Sequence, residues 1–425
     1  MLTSAQITDE DYFLSTYFQT KIEESEYYSN LPSDDSRPYD NKYKARKILE
    51  ALLIAKNIED LSPDNRTIAK GIIEYLLALN FFDTEENSLA DKHFLISLEL
   101  FTQLKKDKIA HFFNYIQDLY NSLGILYTNR EDIQNGLGIF AKAEALYIFM
   151  KKIYNTNPVS VVNNMKQFRP SDDTTPLKFQ FYYQGGINIS RCEKSYTLTL
   201  FYMAQAYAKI ALKFKAAQYC GWTLKRQLET NDYELRDWSI NCLSLAEFFN
   251  ANFEFAQAQY LLLSGISILP EDSKKKLHAT FYMALGHHLL EYLSYAIEKY
   301  LGNQNEEPSV LEMLNKETII FSNLKTEFPK LKLPKNQEEF SSIFRQMNTQ
   351  FKKALKHYEL DGYVTEYIQI VRDLSKGYRY LMLIEQDSER ILALLDRRRE
   401  LLEYPAREIN PKAYELYWQV RILKF

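Results

Sequence analysis

Residues 120–143 read YNSLGILYTNREDIQNGLGIFAKA, and the spacing inside this stretch decides the fold. Tyr120, Leu123, Gly124 and Tyr127 recur at intervals that share one helix face. A polar break follows, and Gly136, Phe140 and Ala143 then share a face of a second helix. Two helices stack closely only where a glycine or alanine lets the backbones approach, with large residues filling the space on either side. The spacing therefore predicts an antiparallel helix pair with Gly124 at the crossing.

The arrangement recurs along the chain. Leu200, Met203, Ala204, Tyr207, Ala216 and Cys220 form a second instance. Cys242, Leu245, Ala246, Phe249, Ala258, Leu262 and Gly265 form a third, with Pro270 where it ends. Weaker copies are Leu77, Ala78, Phe81, Ala90 and Phe94, and then Tyr282, Leu285, Gly286 and Leu289. This order of large, small and aromatic residues matches the tetratricopeptide (TPR) pattern. The small crossing residue falls at 78, 124, 204, 246 and 286, at intervals of 46, 80, 42 and 40. All exceed the period of about 34 of a standard tetratricopeptide, so longer helices or loops are expected. The fold class is read as all-α, a TPR-like α-solenoid of antiparallel helix pairs.

Composition agrees. The 425 residues hold only 12 glycines and 12 prolines, too few for a turn-rich sheet protein, and 26 Phe, 32 Tyr and 3 Trp to fill grooves between helices. Lys plus Arg is 52 and Asp plus Glu is 56, a net of −4 that lacks the basic excess of a dedicated nucleic-acid binder. Three cysteines (Cys192, Cys220, Cys242) suit a reducing compartment better than a disulfide scaffold. No apolar run approaches the roughly 18 residues of a membrane span, and the acidic N-terminus does not read as a signal peptide. A cytoplasmic protein without membrane or nucleic-acid partners is expected.

Four regions follow from these signals. Residues 1–42 read as an N-terminal helix and flexible linker, and 43–300 as a TPR-like N-terminal subdomain. Pro158, Pro170, Pro176, Gly185 and Gly186 mark an inserted loop at about 155–195 within that subdomain. Residues 301–345 read as a linker region broken by prolines, with a helix near 309–327, and 346–425 as a C-terminal helical subdomain. Its last helix is expected to start at Asn410-Pro411 and run to Phe425, still apolar at its end.

Catalytic and cofactor signatures are missing. No GxxxxGK[ST] or GxGxxG occurs, so no glycine-rich loop cradles a phosphate. His287 and His288 are adjacent and diverge by about 100° on a helix, so they cannot share a metal. None of the other four histidines lies in HExxH spacing, and no CxxC is present. Neither an enzyme nor a cofactor or metal is expected.

Several segments resemble a specific family, the KIF-binding (kinesin-binding) proteins. Tyr39–Leu49, YDNKYKARKIL, is similar to that family's opening helix. Asn80 with Asp83-Thr84-Glu85-Glu86 resembles its Asn-x-x-x-Thr-Glu-Glu turn. Asn121–Leu126 and Glu144–Tyr147 fall in the next helix pair. The most specific stretch is Ala216–Cys220 with Thr223–Glu229, continued by Trp238, Ile240-Asn241 and Leu245. Downstream, Asp361-Gly362-Tyr363-Val364-Thr365 with Ile368, Val371 and Asp373 is similar to a second signature. Glu389-Arg390, Arg397-Arg398 and Asn410-Pro411 keep the expected order behind it, whereas 270–345 matches poorly.

The resemblance implies a right-handed solenoid with N- and C-terminal subdomains, here with a shortened C-terminal part. It also implies a non-enzymatic scaffold, a monomer, whose concave face grips kinesin motor domains and keeps them off microtubules. That would make it a cytoskeleton-associated regulator of microtubule-based transport. The alternative is a general TPR adaptor or co-chaperone, although Asn121, Ile125, Phe201 and Gln205 do not form the carboxylate clamp such a receptor needs. In tetratricopeptide pairs the first helix lines the groove, and positions off its packing stripe point into it. By that rule Asn121 and Thr128, Gln205 and Lys209, and Glu247 and Asn250 are candidate partner-binding residues in three successive pairs. Tyr196 and Thr197, placed where the inserted loop meets the helix, match a partner-facing Tyr-Thr of the family.

Overall fold

The computed structural model describes residues 13–104, 112–156, 189–270, 275–302 and 318–410. All regular structure among these residues is helical. The chain divides into two compact units, Met1–Thr223 and Leu224–Phe425.

In the first unit a π-helical turn, Phe13–Phe18, leads into α1 (Gln19–Asn30), followed by α2 (Asp40–Leu53) and a single turn at Lys56–Glu59. Then come α3 (Pro63–Asp83), α4 (Asn87–Thr102), α5 (Phe113–Asn129), α6 (Ile133–Thr156) and α7 (Ile189–Lys209). Helix α8 (Lys213–Thr230) carries the chain across the boundary. Each of the helices from α1 to α6 packs on the next, and α7 packs on both α5 and α6. Such stacking, each helix against those one or two places along the chain, is that of a helical-repeat array. The buried face of α3 (Ile68, Ile72, Leu77, Ala78, Phe81) joins Phe94 and Phe101 of α4 and Leu119, Leu123 and Leu126 of α5 in one apolar cluster.

The repeat has a stricter register than composition suggested. Ala78, Gly124, Ala204 and Ala246 each stand seven residues before a residue in left-handed backbone: Glu85 (φ 64°), Glu131 (63°), Ala211 (59°) and Phe253 (63°). Two residues further on, the second helix starts, at Asn87, Ile133, Lys213 and Phe255. In all four turns the residue after the left-handed one donates its N–H to a carbonyl five residues back. The four bonds are Glu86 to Phe81, Asp132 to Tyr127, Leu212 to Tyr207 and Glu254 to Phe249, at 2.9–3.0 Å. This six-to-one bond closes a helix whose last carbonyls would otherwise lack partners. The acceptor is always the aromatic three residues past the small one, so a single sequence period fixes crossing, turn and restart together.

The Asn-x-x-x-Thr-Glu-Glu segment is explained by this turn. Arg46 of α2 reaches Asn80 Oδ1 at 2.9 Å, Thr84 Oγ1 at 2.6 Å and Glu86 Oε1 at 2.7 Å, its guanidinium 3.9 Å from the centre of the Phe81 ring. Asn80 and Thr84 are buried, so the motif ties α2 to the α3–α4 turn.

The second unit contains α9 (Leu235–Ala251), α10 (Phe255–Ser267), α11 (Lys275–Leu301), α12 (Gln337–Leu355), α13 (Val364–Ile384) and α14 (Ser388–Glu408). Here Gly286 lies at a helix crossing as expected but departs from the turn register, and one expectation needs correction. The copy around Gly286 does not turn seven residues later, because that position is Leu293, fully buried on the apolar stripe Leu289, Leu290, Leu293, Ala296 and Ile297. The helix runs on, and Gly286 instead receives the Phe351 ring of α12, which lies 2.5 Å from where a Cβ would be.

The helix expected near 309–327 is also not observed in its described part. Residues 318–336 form no helix. They run as a strap held by side chains of α9 and α10: the Gln257 amide donates to Ile319 O and accepts from Ile319 N–H, both at 3.1 Å, mimicking a peptide partner. The Tyr260 hydroxyl accepts from Phe321 N–H, and the Phe321 ring packs on Trp238 and Tyr260. Residues 303–317 lie outside the described residues, as do 157–188 of the inserted loop and 411–425 of the expected last helix. Helix α12 begins at 337, inside the stretch read as linker, where Asn336 and Glu339 cap each other reciprocally: Glu339 N–H to Asn336 Oδ1 and Asn336 Nδ2 to Glu339 Oε1, both 3.0 Å.

Candidate protein-interaction surface

Helix α7 is the central element of the first unit's candidate surface. Its inner face carries a polar seam against α5. The Arg191 guanidinium lies 2.6 Å from Asp118, whose other oxygen accepts the Ser195 hydroxyl. Gln117 Nε2 donates to Thr199 Oγ1 at 2.9 Å, and Thr199 Oγ1 donates to Asn121 Oδ1 at 2.7 Å. Asn121 Nδ2 donates to Ser195 O at 2.8 Å. Buried polar atoms require such partners, and the seam fixes the rotation of α7 about its axis.

That rotation decides which candidate residues face solvent. Asn121, Thr128 and Thr197 are buried, at odds with the expectation that they point into a groove. Asn121 is consumed by the seam, the Thr197 hydroxyl donates to Glu193 O, and the Thr128 hydroxyl donates to Ile125 O. Since α7 begins at Ile189, Tyr196 and Thr197 sit about two turns into it and not where a loop meets a helix. Tyr196 stacks on Tyr147 of α6, ring centres 3.7 Å apart and planes 10° from parallel, and its hydroxyl donates to Glu144 at 3.1 Å. Gln205 and Lys209 are exposed, with Lys209 Nζ 3.0 Å from Thr128 O at the end of α5.

Leu198 and Phe201 join Gln205 and Lys209 on the outer face, 43% and 37% exposed. At 3.6 residues per turn the four lie within a sector of about 80°. The stripe is thus apolar at the middle of α7 and polar toward its C-terminal end. Leu198 was not among the candidates; its signal was an apolar residue between the buried Thr197 and Thr199, out of phase with the packing stripe.

In the second unit Glu247 is exposed on α9. Asn250, one turn on, is half-buried and engaged twice by α11: its Oδ1 accepts from His288 Nδ1 at 2.8 Å and its Nδ2 donates to Glu291 Oε2 at 2.5 Å. His288 is 1% exposed, and burial lowers its pKa to about 4, so the ring is neutral at physiological pH. The neighbouring His287 faces a different helix, its Nδ1 2.9 Å from Asp373 of α13.

Reactive chemistry is muted at these places. Burial pushes the Cys192 thiol up to about 12 and the Cys220 thiol to about 11, so both stay protonated and weakly nucleophilic. Among the described residues no group of three His, Cys, Asp or Glu is placed to hold a metal ion, and no helix is long and apolar enough to cross a membrane. The arrangement offers contact area, hydrogen-bonding groups and charge.

Residues 236–422 match the family model described as KIF-1 binding protein C terminal. The KIF-binding protein of Gallus gallus is 27% identical over 426 residues, covering 90% of this chain and 69% of that protein. That of Homo sapiens is 26% identical over 455 residues, covering 90% of this chain and 71% of the relative. A solved structure titled Kinesin binding protein (KBP) superposes over 99% of this chain and 76% of its own, with a TM-score of 0.58 at 22% identity.

Proposed function

We propose that this chain is a member of the KIF-binding protein family and a non-enzymatic scaffold that binds kinesin motor domains and controls their attachment to microtubules. The observation that carries the reading is the exposed stripe of α7, Leu198, Phe201, Gln205 and Lys209, held in a fixed orientation by the buried seam beneath it. A rigid helix with apolar anchors flanked by polar groups is the usual make-up of a protein-binding face. Relatives that carry the name KIF-binding protein over 90% of this chain supply the partner class.

Gln205, Lys209 and Glu247 are assigned direct contacts with the motor. Asn121, Thr128, Thr197 and Asn250 act by holding the contacting helices in place, and Tyr196, stacked on Tyr147, offers a ring edge to the partner. The scaffold is a cytoplasmic monomer that associates with the cytoskeleton through its motors. The mechanism is competition: the motor's track-binding surface, made basic to meet acidic tubulin, is covered while the scaffold is bound.

Co-sedimentation tests the reading. Purified chain added to kinesin motor domains and microtubules should move the motors from pellet to supernatant in proportion to scaffold concentration. Motors that stay on the microtubules at micromolar scaffold, together with no motor domain retained by the immobilised chain, would remove this function.

A further inference from the structure

A polar cavity lies between α11 and α13 in the second unit, about 290 Å³ in volume, at the small end of ligand-sized pockets. Its wall includes Leu290 and Tyr380, and its polar side chains include His287, Glu291, Asp373 and Lys376. Asp373 is the floor: its side chain is 5% exposed, and its Oδ2 accepts no hydrogen bond. His287 Nδ1 is 2.9 Å from that oxygen, but the approach lacks hydrogen-bond geometry. Lys376 Nζ sits 3.4 Å from the other oxygen and is half in solvent, a weak hold. Glu291 stands exposed on the rim with one oxygen bonded to Asn250.

A buried carboxylate oxygen that faces open space can take a further donor that fits the cavity. We infer that the α11–α13 cavity receives an arginine side chain of a bound protein partner, its guanidinium bridging Asp373 Oδ2 and Glu291. The planar fork of arginine donates to two carboxylates at once, which the point charge of lysine does less well. Leu290 and Tyr380 supply an apolar and aromatic wall for its stem. A divalent cation fits less well, since no three-ligand group exists among the described residues. The inference rests on the scaffold reading for the source of the arginine, and adds to it a charge-specific anchor away from α7.

Histidine ring resonances of the full chain report on the site through His287. Titration with N-acetyl-arginine methylamide should shift the His287 signals saturably in about the millimolar range expected of a side-chain-sized fragment. The neutral isostere N-acetyl-citrulline methylamide should leave them unmoved. Gln369, exposed on the cavity wall, allows a variant that keeps the buried carboxylate: Gln369→Arg places a guanidinium in the cavity and should abolish the response, as should Glu291→Gln with Asp373→Asn. Absence of a saturable shift, or an equal response to citrulline, overturns the inference.

A second arm uses a kinesin motor domain. Gln369→Arg should weaken its binding by about tenfold or more, the loss typical of a blocked anchor. Unchanged binding by this variant overturns the protein-borne arginine while leaving the scaffold reading intact. If the unaltered chain binds no motor domain, the scaffold reading falls, and the arginine titration alone decides whether the cation site stands.

Discussion

The Phe140 ring lies across Gly124 so closely that a Cβ built on the glycine would sit 2.5 Å from the ring. Gly136 adds a second close approach, since its own Cβ would meet Thr128 Cγ2 at 2.6 Å. The α5–α6 pair is thus interlocked at backbone distance. A Gly124→Leu substitution leaves no rotamer free of the ring and should cost at least about 1–3 kcal/mol through overpacking. Thermal denaturation checks this, and an unchanged melting temperature would show that the crossing is placed wrongly.

The four left-handed turns make the opposite prediction. Ala211 holds φ 59° with no glycine to relieve the clash between its Cβ and the backbone. Because it is exposed and carries only a methyl group, Ala211→Gly removes strain without removing a contact. The greater entropy of an unfolded glycine takes back part of the gain. A net stabilisation of about 0.5–1 kcal/mol is expected in urea titrations. A loss of stability would mean that the turn is not left-handed in solution.

His288 makes stability depend on pH. Its Nδ1–H is spent on Asn250, its Nε2 is buried without a partner, and burial lowers its pKa from an ordinary 6.5 to about 4. Folding therefore favours the neutral ring. Its full contribution is present above pH 6.5 and is lost as pH falls from there toward 4, amounting to up to about 3 kcal/mol. His288→Gln, which can keep an amide partner for Asn250, should flatten the stability profile between pH 6.5 and 4. Parallel profiles for the two proteins would refute this assignment.

How much of this was legible in the sequence varies by element. The helix pairs were, because Ala78, Gly124, Ala204 and Ala246 are small for a packing reason that also places an aromatic three residues later. The turns were not, since Glu85, Glu131, Ala211 and Phe253 carry no glycine or proline signature. Gly286 was legible as a crossing, but local spacing does not show that the ring it admits, Phe351, belongs to a helix that starts only after a long non-helical stretch. The 318–336 strap was hidden because its partners, Gln257 and Tyr260, lie some 60 residues upstream. At the surface, the rule that residues off the packing stripe face outward held for Gln205, Lys209 and Glu247. It failed for Asn121, where a third helix covers the face through a polar seam that hydrophobic periodicity does not register.

The α7 stripe permits a direct test of the proposed surface. Leu198 and Phe201 project from a helix whose inner face is held by buried hydrogen bonds, so changing them should leave the fold intact. Phe201→Asp puts a charge where a partner's apolar side chain would be desolvated, and should weaken motor binding by about tenfold to a hundredfold with little change in melting temperature. Leu198→Asp should do the same. Lys209→Glu should act mainly on the association rate and its salt dependence, because that residue lies at the polar end of the stripe. A control on the same unit is Leu89→Asp at the start of α4, 41% exposed and not on α7, which should bind as the parent does. If all of these variants bind motors equally well, the contacts lie elsewhere and α7 is only a support.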